Sequence, residues 1–166
     1  VTHLTEYSQN IVDAICSIDI NVVGIFPNND WGNHYIRETF VKGFKGLTRI
    51  AFFPSIRFEY FVVLLKNAKV IIGNSSSGVR EAPFLGIPSV DIGSRQHRRS
   101  DAASIIRSNY QVTNIKTAIN EALSMTQPPS IQKFGQGNSD KKFLEVLSSD
   151  TVWDTPRQKY FHDFTD

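Results

Sequence analysis

Long apolar runs, paired cysteines and a strong excess of either charge are all missing from this 166-residue chain. No stretch approaches the ~20 apolar residues of a membrane span, and no charged-then-apolar leader opens the sequence, so no membrane partner is expected. A net charge of +2 is too small to call for nucleic acid. The lone Cys16 excludes an internal disulfide and fits a reducing, cytoplasmic setting. In Ile15-Cys16-Ser17-Ile18, near the end of an amphipathic stretch, it reads as a buried, inert thiol. His3, His34 and His162 lack metal-site spacing with cysteines or carboxylates, and neither a metal nor another cofactor is expected. There is no P-loop ending in Gly-Lys-Ser/Thr, no Gly-x-Ser-x-Gly elbow, no internal repeat and no low-complexity tract. A methionine start is missing too. Val1-Thr2-His3-Leu4 reads as a chain already in progress, and the expectation is a fragment.

What is present is the composition of an ordinary globular domain with a sizeable core, 40% hydrophobic and 20% charged. Apolar residues at Ile11, Val12, Ile15 and Ile18 predict a helix from Thr5 to Ser17, with Thr5 as a possible cap. Asn21–Phe26 predicts a strand stopped by Pro27. Asn33–Phe44 reads as a helix with Tyr35, Ile36, Phe40, Val41 and Phe44 on one face. Thr48–Phe52 reads as a strand closed by Pro54, Arg57–Asn67 as an apolar helix, and Lys69–Ile72 as a buried strand. A Val79–Leu85 helix, ended by Gly86-Ile87-Pro88, precedes a Ser89–Ile92 strand. Beyond it come a helix over Asp101–Ser108, a short strand over Tyr110–Val112, and helices over Ile115–Met125, Asp140–Leu147 and Arg157–Phe164. Strands alternating with helices predict right-handed βαβ units and a parallel sheet covered on both faces, a Rossmann-like three-layer α/β domain.

In such sheets ligands bind beyond the carboxyl ends of the strands, where three polar turns converge: Asn28–Gly32, Asn74–Gly78 and Gly93–Arg99. The second is the most informative. Gly73 and Gly78 bracket Asn74-Ser75-Ser76-Ser77, which lets the backbone turn sharply and a ligand come close. A helix opening near Ser76 or Ser77 would aim unpaired N–H groups at that space, and phosphate suits them. Glu81, a turn later, could accept hydrogen bonds from ribose hydroxyls. On this window alone, N-capping serines and a dipole-complementing Glu81 explain the pattern as well.

The third turn, Gly93-Ser94-Arg95-Gln96-His97-Arg98-Arg99, is basic, and a guanidinium fork suits phosphate. Arg95, directly after the strand and Gly93, is expected to point into the crevice. Arg98, Arg99 and His97 read as solvated surface, Asp91 as structural within the sheet, and Asp30 as an Asx-turn that caps the next helix.

Taken together, Gly73-Asn74-Ser75-Ser76-Ser77-Gly78-Val79-Arg80-Glu81-Ala82-Pro83, Gly86-Ile87-Pro88, Ile92-Gly93-Ser94-Arg95-Gln96 and Arg99 resemble UDP-N-acetylglucosamine 2-epimerases of the hydrolysing, sialic-acid-type branch. Pro27-Asn28-Asn29-Asp30 and Phe134-Gly135-Gln136-Gly137-Asn138 fit that pattern, and the similarity runs from about Asn21 to Leu147. The resemblance implies the C-terminal half of a glycosyltransferase-B-like fold. Residues 1–150 would form a UDP-sugar-binding Rossmann-like domain, and 151–166 a helix that crosses to an N-terminal domain outside this chain. It implies Asn28, Asn74, Ser75, Ser76, Ser77, Glu81, Arg95 and Gln96 as the UDP-sugar-binding residues. Ser75 and Ser76 would meet the diphosphate and Glu81 the ribose, while the carboxylates of the proton chemistry lie outside this chain. UDP and a UDP-N-acetylhexosamine, or its 2,4-diacetamido analogue, are the implied ligands, with elimination of UDP across C1–C2 and then addition of water as the reaction. A homodimer is implied for the full-length protein, and the isolated domain is expected to be inactive; for any dimer the apolar Phe58-Glu59-Tyr60-Phe61 helix is a candidate contact, with core packing the better default for most of it. One departure stands out: after Arg95-Gln96 the family has a glycine before the next arginine, where this chain has His97-Arg98-Arg99. The donor domain of a glycosyltransferase with the same fold and a non-catalytic nucleotide-binding module remain open as alternatives.

Overall fold

The computed structural model describes residues 2–27, 30–126 and 128–158. The chain divides into two compact units, Val1–Ile131 and Gln132–Asp166. In the first unit α1 (Thr2–Cys16), β1 (Val22–Ile25), α2 (Asn33–Gly43), β2 (Ile50–Phe53), α3 (Phe58–Asn67) and β3 (Ile71–Gly73) follow in order. A 3₁₀ turn (Ser76–Gly78), α4 (Glu81–Leu85), β4 (Ser89–Ile92), β5 (Ile105–Ser108) and α5 (Val112–Ser124) complete it. The second unit holds α6 (Ser139–Leu147) and α7 (Asp150–Trp153), where Trp153 Nε1–H donates to the Leu147 carbonyl at 2.9 Å. Residues 159–166, which carry most of the expected closing helix, lie outside the described residues, and Arg157 is not helical.

All strand pairs are parallel, in two ladders, β1–β2 and β3–β4–β5. The second ladder positions the site, and its alternation sorts the side chains. Ile72, Val90, Ile92 and Ile106 face one way and pack on Ile115, Ala118 and Ile119 of α5 and on Ala14 of α1. Ile71 faces the other way, onto Leu65 of α3 and Ala82 of α4, while Ile105 packs on Val79 and Ala102. Helices on both faces bury β4 completely, as a parallel sheet requires. Each fully buried isoleucine of this core contributes about 1.5–3 kcal/mol. Val12 and Ile15 of α1 also pack on Phe44, Phe52 and Ile50, so the one helix lies against both ladders. The opposite side of the first ladder is open: Val23, Ile25 and Phe53 are exposed, as are Phe58 and Tyr60 of α3.

Several local expectations change. Asp101–Ser108 is not helical, because Ile105 and Ile106 pair with Ser89 and Val90 and are buried on the two faces of the sheet. Tyr110–Val112 is not a strand. Asn109 Oδ1 accepts the Gln111 N–H at 2.9 Å, an Asx-turn that starts α5 at Val112. The helix after the serines is delayed. Ser75 Oγ accepts the Ser77 N–H, a tight turn forms at Ser76–Gly78, and α4 starts only at Glu81. Thr5 lies inside α1 rather than capping it. Cys16 is exposed rather than buried, being one residue past the core-facing Ile15 at the helix end. Val41 is exposed. Gly32, not Asp30, is the N-cap of α2, and no side chain caps that helix.

Candidate functional site

β3 ends at Gly73, whose φ of +145° lies where L side chains are strained, although a Cβ there would meet nothing within 4 Å. Conformation, not crowding, reserves the position for glycine. Gly78 differs: it has no positive φ, and a Cβ would sit 3.6 Å from Ser89 Oγ, an ordinary contact. Between them Asn74 and Ser75 are exposed, and Ser76 and Ser77 are half-buried. The turn is fastened from below by Ser89 of β4, whose Oγ–H donates to the Gly78 carbonyl at 2.6 Å. Glu81 opens α4, and its Oε2 is buried with no hydrogen-bond partner among the described residues. A helix of five residues offers little dipole to complement. A carboxylate oxygen that is out of water and unbonded fits one that awaits a donor.

The basic loop after β4 begins at Gly93, whose N–H donates to the Ser108 carbonyl at 2.8 Å. Two successive turns follow, His97 N–H to the Ser94 carbonyl and Arg99 N–H to the Gln96 carbonyl. Arg95, His97, Arg98 and Arg99 are exposed, so Arg95 stands at the mouth rather than inside. Gln96 points inward, 2% exposed, and its Nε2–H donates to the Asn74 carbonyl at 2.8 Å. That bond ties the basic loop to the serine turn. Replacing Gln96 by alanine leaves the Asn74 carbonyl without this donor and opens a void. The expected outcome is a loss of about 1–3 kcal/mol of stability together with weaker anion binding, read by thermal melting and titration. An unchanged melting temperature with weaker binding would show that the amide acts only on the ligand.

Arg98 sits at φ +63°, the left-handed region, and no other described non-glycine residue has positive φ. It lies within the His97-Arg98-Arg99 stretch where the resemblance noted a missing glycine, and its backbone adopts a conformation that glycine suits. Relief of strain worth about 1–2 kcal/mol is partly offset by the added unfolded-state freedom of glycine, about 0.5–1 kcal/mol. Arg98→Gly is therefore expected to raise stability by up to about 1 kcal/mol, measured by denaturant midpoint at unchanged slope.

Asp91 lies inside the sheet, as the sequence predicts, and its surroundings there give it a feature the sequence did not show. It lies on the face of β4 that carries Ser89, opposite Gly73 in the ladder, and is 3% exposed. Neither carboxyl oxygen has a hydrogen-bond partner among the described residues. Burial pushes its carboxyl above the usual carboxylate range, and the charges of His97 and Arg107 pull it only partly back. The available signal was an ionisable residue in the middle of a strand buried on both faces, which is rare unless it is used.

The serine turn, Glu81, Gln96 and the root of the basic loop thus meet at the carboxyl ends of β3 and β4. Hydroxyls and turn N–H groups there suit a phosphate, an unpaired carboxylate oxygen suits a diol, and an exposed guanidinium suits anion capture. Asn28 lies outside the described residues. Among the described residues no group of three or more His, Cys, Asp or Glu side chains could hold a metal ion, and no helix is long and apolar enough to cross a membrane.

Comparison with known proteins gives this geometry a context. Residues 2–148 match the family described as UDP-N-acetylglucosamine 2-epimerase. The UDP-N-acetylglucosamine 2-epimerase of Neisseria meningitidis serogroup B is 40% identical over 163 residues, covering 96% of this chain and 43% of the relative. The hydrolysing UDP-N,N'-diacetylbacillosamine 2-epimerase of Legionella pneumophila is 26% identical over 141 residues, covering 85% of this chain and 37% of the relative. The chain therefore spans about two fifths of the length of the curated relatives it matches. Among solved structures, the UDP-GlcNAc 2-epimerase of Methanocaldococcus jannaschii in complex with UDP-GlcNAc and UDP superposes with a TM-score of 0.69 at 21% identity, covering 86% of this chain and 41% of that one. That likeness establishes a shared α/β fold of glycosyltransferase-B type with parallel sheets.

Proposed function

The chain belongs to the UDP-N-acetylglucosamine 2-epimerase family, and from that premise we propose that its crevice binds UDP and the UDP part of a UDP-N-acetylhexosamine. The observation that carries the reading is the buried, unpartnered Oε2 of Glu81 beside the serine turn. A ribose diol supplies the missing donors, and the diphosphate then extends toward Ser75, Ser76 and Ser77. Asn74 and Gln96 hold the turn, and Arg95 folds in from the mouth onto the nucleotide-sugar. The whole protein, in this reading, is a cytoplasmic, homodimeric hydrolysing epimerase in sialic-acid or surface-polysaccharide synthesis. It eliminates UDP across C1–C2 of the sugar and adds water to give the free 2-epimer.

The chain described here supplies the nucleotide site and not the proton-transfer groups. Alone it binds UDP without turnover, because closure of two domains is what completes such a site and excludes water. Calorimetric titration of UDP into the chain tests the binding. Heat that is lost in Glu81→Ala supports it, and no heat at millimolar UDP overturns it. For the whole protein, release of UDP and free sugar from UDP-N-acetylglucosamine without an acceptor supports the epimerase, whereas release only with an acceptor would make it a transferase.

A further inference from the structure

Beneath the serine turn lies a small cavity of about 30 Å³, lined among others by Gly73, Ser75, Gly78 and Asp91. It is far too small for a nucleotide and large enough for a water molecule. Asp91 is its ionisable wall. Its two carboxyl oxygens are buried and accept no hydrogen bond from any described residue. Arg107, paired with it across the ladder, directs Nη2–H to the Ser100 carbonyl at 2.7 Å instead. An ionised carboxylate without donors is costly in such a place, and one directly under a diphosphate would repel it as well. A neutral carboxyl has neither defect. It presents one O–H donor to the cavity, where a water or a phosphate oxygen can accept it.

We propose that Asp91 is a positioning acid of the nucleotide site: it holds a proton when the diphosphate is bound and donates its O–H into the cavity under the serine turn. The inference rests on the nucleotide reading above and adds a consequence to it, namely that UDP binding is linked to proton uptake at this carboxyl. On the same face of the sheet α4, packed through Ala82, carries Glu81, and α3, packed through Leu65, carries Glu59 and Lys66, both exposed. β3 and the 3₁₀ turn carry no ionisable side chain, β5 presents Arg107, and the loop after β4 presents His97. α5 packs on the opposite face of β4 through Ile115 and Ile119, with Lys116 and Glu121 exposed. His97 is also an electrostatic neighbour of Asp91, so its contribution must be separated from that of Asp91 by experiment.

The sign of the linkage is set by the anion. Below the carboxyl's own titration Asp91 is neutral and binding is strongest; as pH rises through it, affinity falls by up to about tenfold per pH unit. The same raised proton affinity makes the folded chain gain stability at low pH and lose it as pH climbs through the folded-state titration. Calorimetric titration of UDP across acid to mildly basic pH, in buffers of different ionisation enthalpy, reads both affinity and proton uptake. Wild type and His97→Gln are expected to take up as much as one proton per UDP. Asp91→Asn, whose amide keeps a donor and cannot ionise, is expected to bind as tightly as wild type does at acid pH and to lose that uptake. UDP's own phosphate ionisation is common to all three and cancels. Because Asp91→Asn could misfold, the ¹³Cγ shift of Asp91 in the wild-type chain gives a second reading: its titration should move to higher pH when UDP is added. Equal pH slopes in wild type and Asp91→Asn, or a ¹³Cγ titration that UDP leaves in place, would overturn the proposal while leaving the nucleotide site intact. No binding at any pH would overturn both.

Discussion

Glu81→Ala is expected to weaken UDP binding by about 10- to 150-fold while leaving the melting temperature nearly unchanged. The magnitude follows from removing a charged acceptor from a hydroxyl, an interaction worth roughly 1.5–3 kcal/mol. The unchanged melting point follows from what Glu81 does in the empty chain. Its Oε2 is buried without a partner, so its loss leaves no protein donor orphaned at that atom. Its neighbour Arg80 is the N-cap of α4 and no side chain caps that helix, so Glu81 closes no capping box. A carboxylate kept only to complement a helix start would behave oppositely, with a drop in melting temperature and intact binding. Glu81→Gln separates the parts further, since the amide oxygen still accepts one hydroxyl and should recover a share of the affinity. Titration and melting on the same two variants decide between the roles.

How much of this was legible beforehand depended on whether a feature was local. β1 to β4 could be read because each is a short β-branched or aromatic run closed by Pro27, Pro54, Gly73 or Gly93, and runs closed by such breakers allow little else. β5 could not. Ile105-Ile106 flanked by Ser104 and Arg107 fits a helix as well as a strand, and the decision belongs to β4, which pairs with it residue for residue. The delayed start of α4 was hidden for a different reason. Serines favour helix starts and tight turns alike, and Ser75 Oγ chose the turn by taking the Ser77 N–H. Within the site, the serine turn and Glu81 stood out because glycine and small polar residues in that order have a local meaning. The inward turn of Gln96 could not be read, because its partner, the Asn74 carbonyl, lies 22 residues away. Nor could the cavity against Asp91, which exists only where two strands and a turn meet. Arg98 falls between these cases: the departure from glycine was visible, and its consequence, a left-handed arginine, was not.

Gly93→Ala is expected to be among the most damaging single-methyl changes available to this chain, with a loss of about 3 kcal/mol. Two effects combine. The φ of +85° strains any L residue, by about 1–2 kcal/mol. A Cβ would also lie 2.6 Å from Tyr110 Oη and 2.7 Å from Cε2, well inside contact distance. The ring is poorly placed to retreat. It stacks on Tyr7 of α1 with centroids 4.0 Å apart and planes 7° from parallel, and the Tyr110 carbonyl is held by Asn10 Nδ2 at 3.0 Å. Overpacking against such a fixed neighbour adds about 1–3 kcal/mol. For a chain of this size the total should lower the melting temperature by roughly 10 °C. Gly46 supplies the control, because its φ is +82° and a Cβ there would meet nothing within 4 Å. Gly46→Ala therefore carries the strain without the overlap and should cost about 1–2 kcal/mol. The difference between the two variants measures the wedge against Tyr110, and equal losses would mean that the ring moves freely aside. The same wedge acts at the root of the basic loop, three residues before Gln96, so Gly93→Ala should also slacken the tie to Asn74 and weaken UDP binding, whereas Gly46→Ala should leave it unchanged.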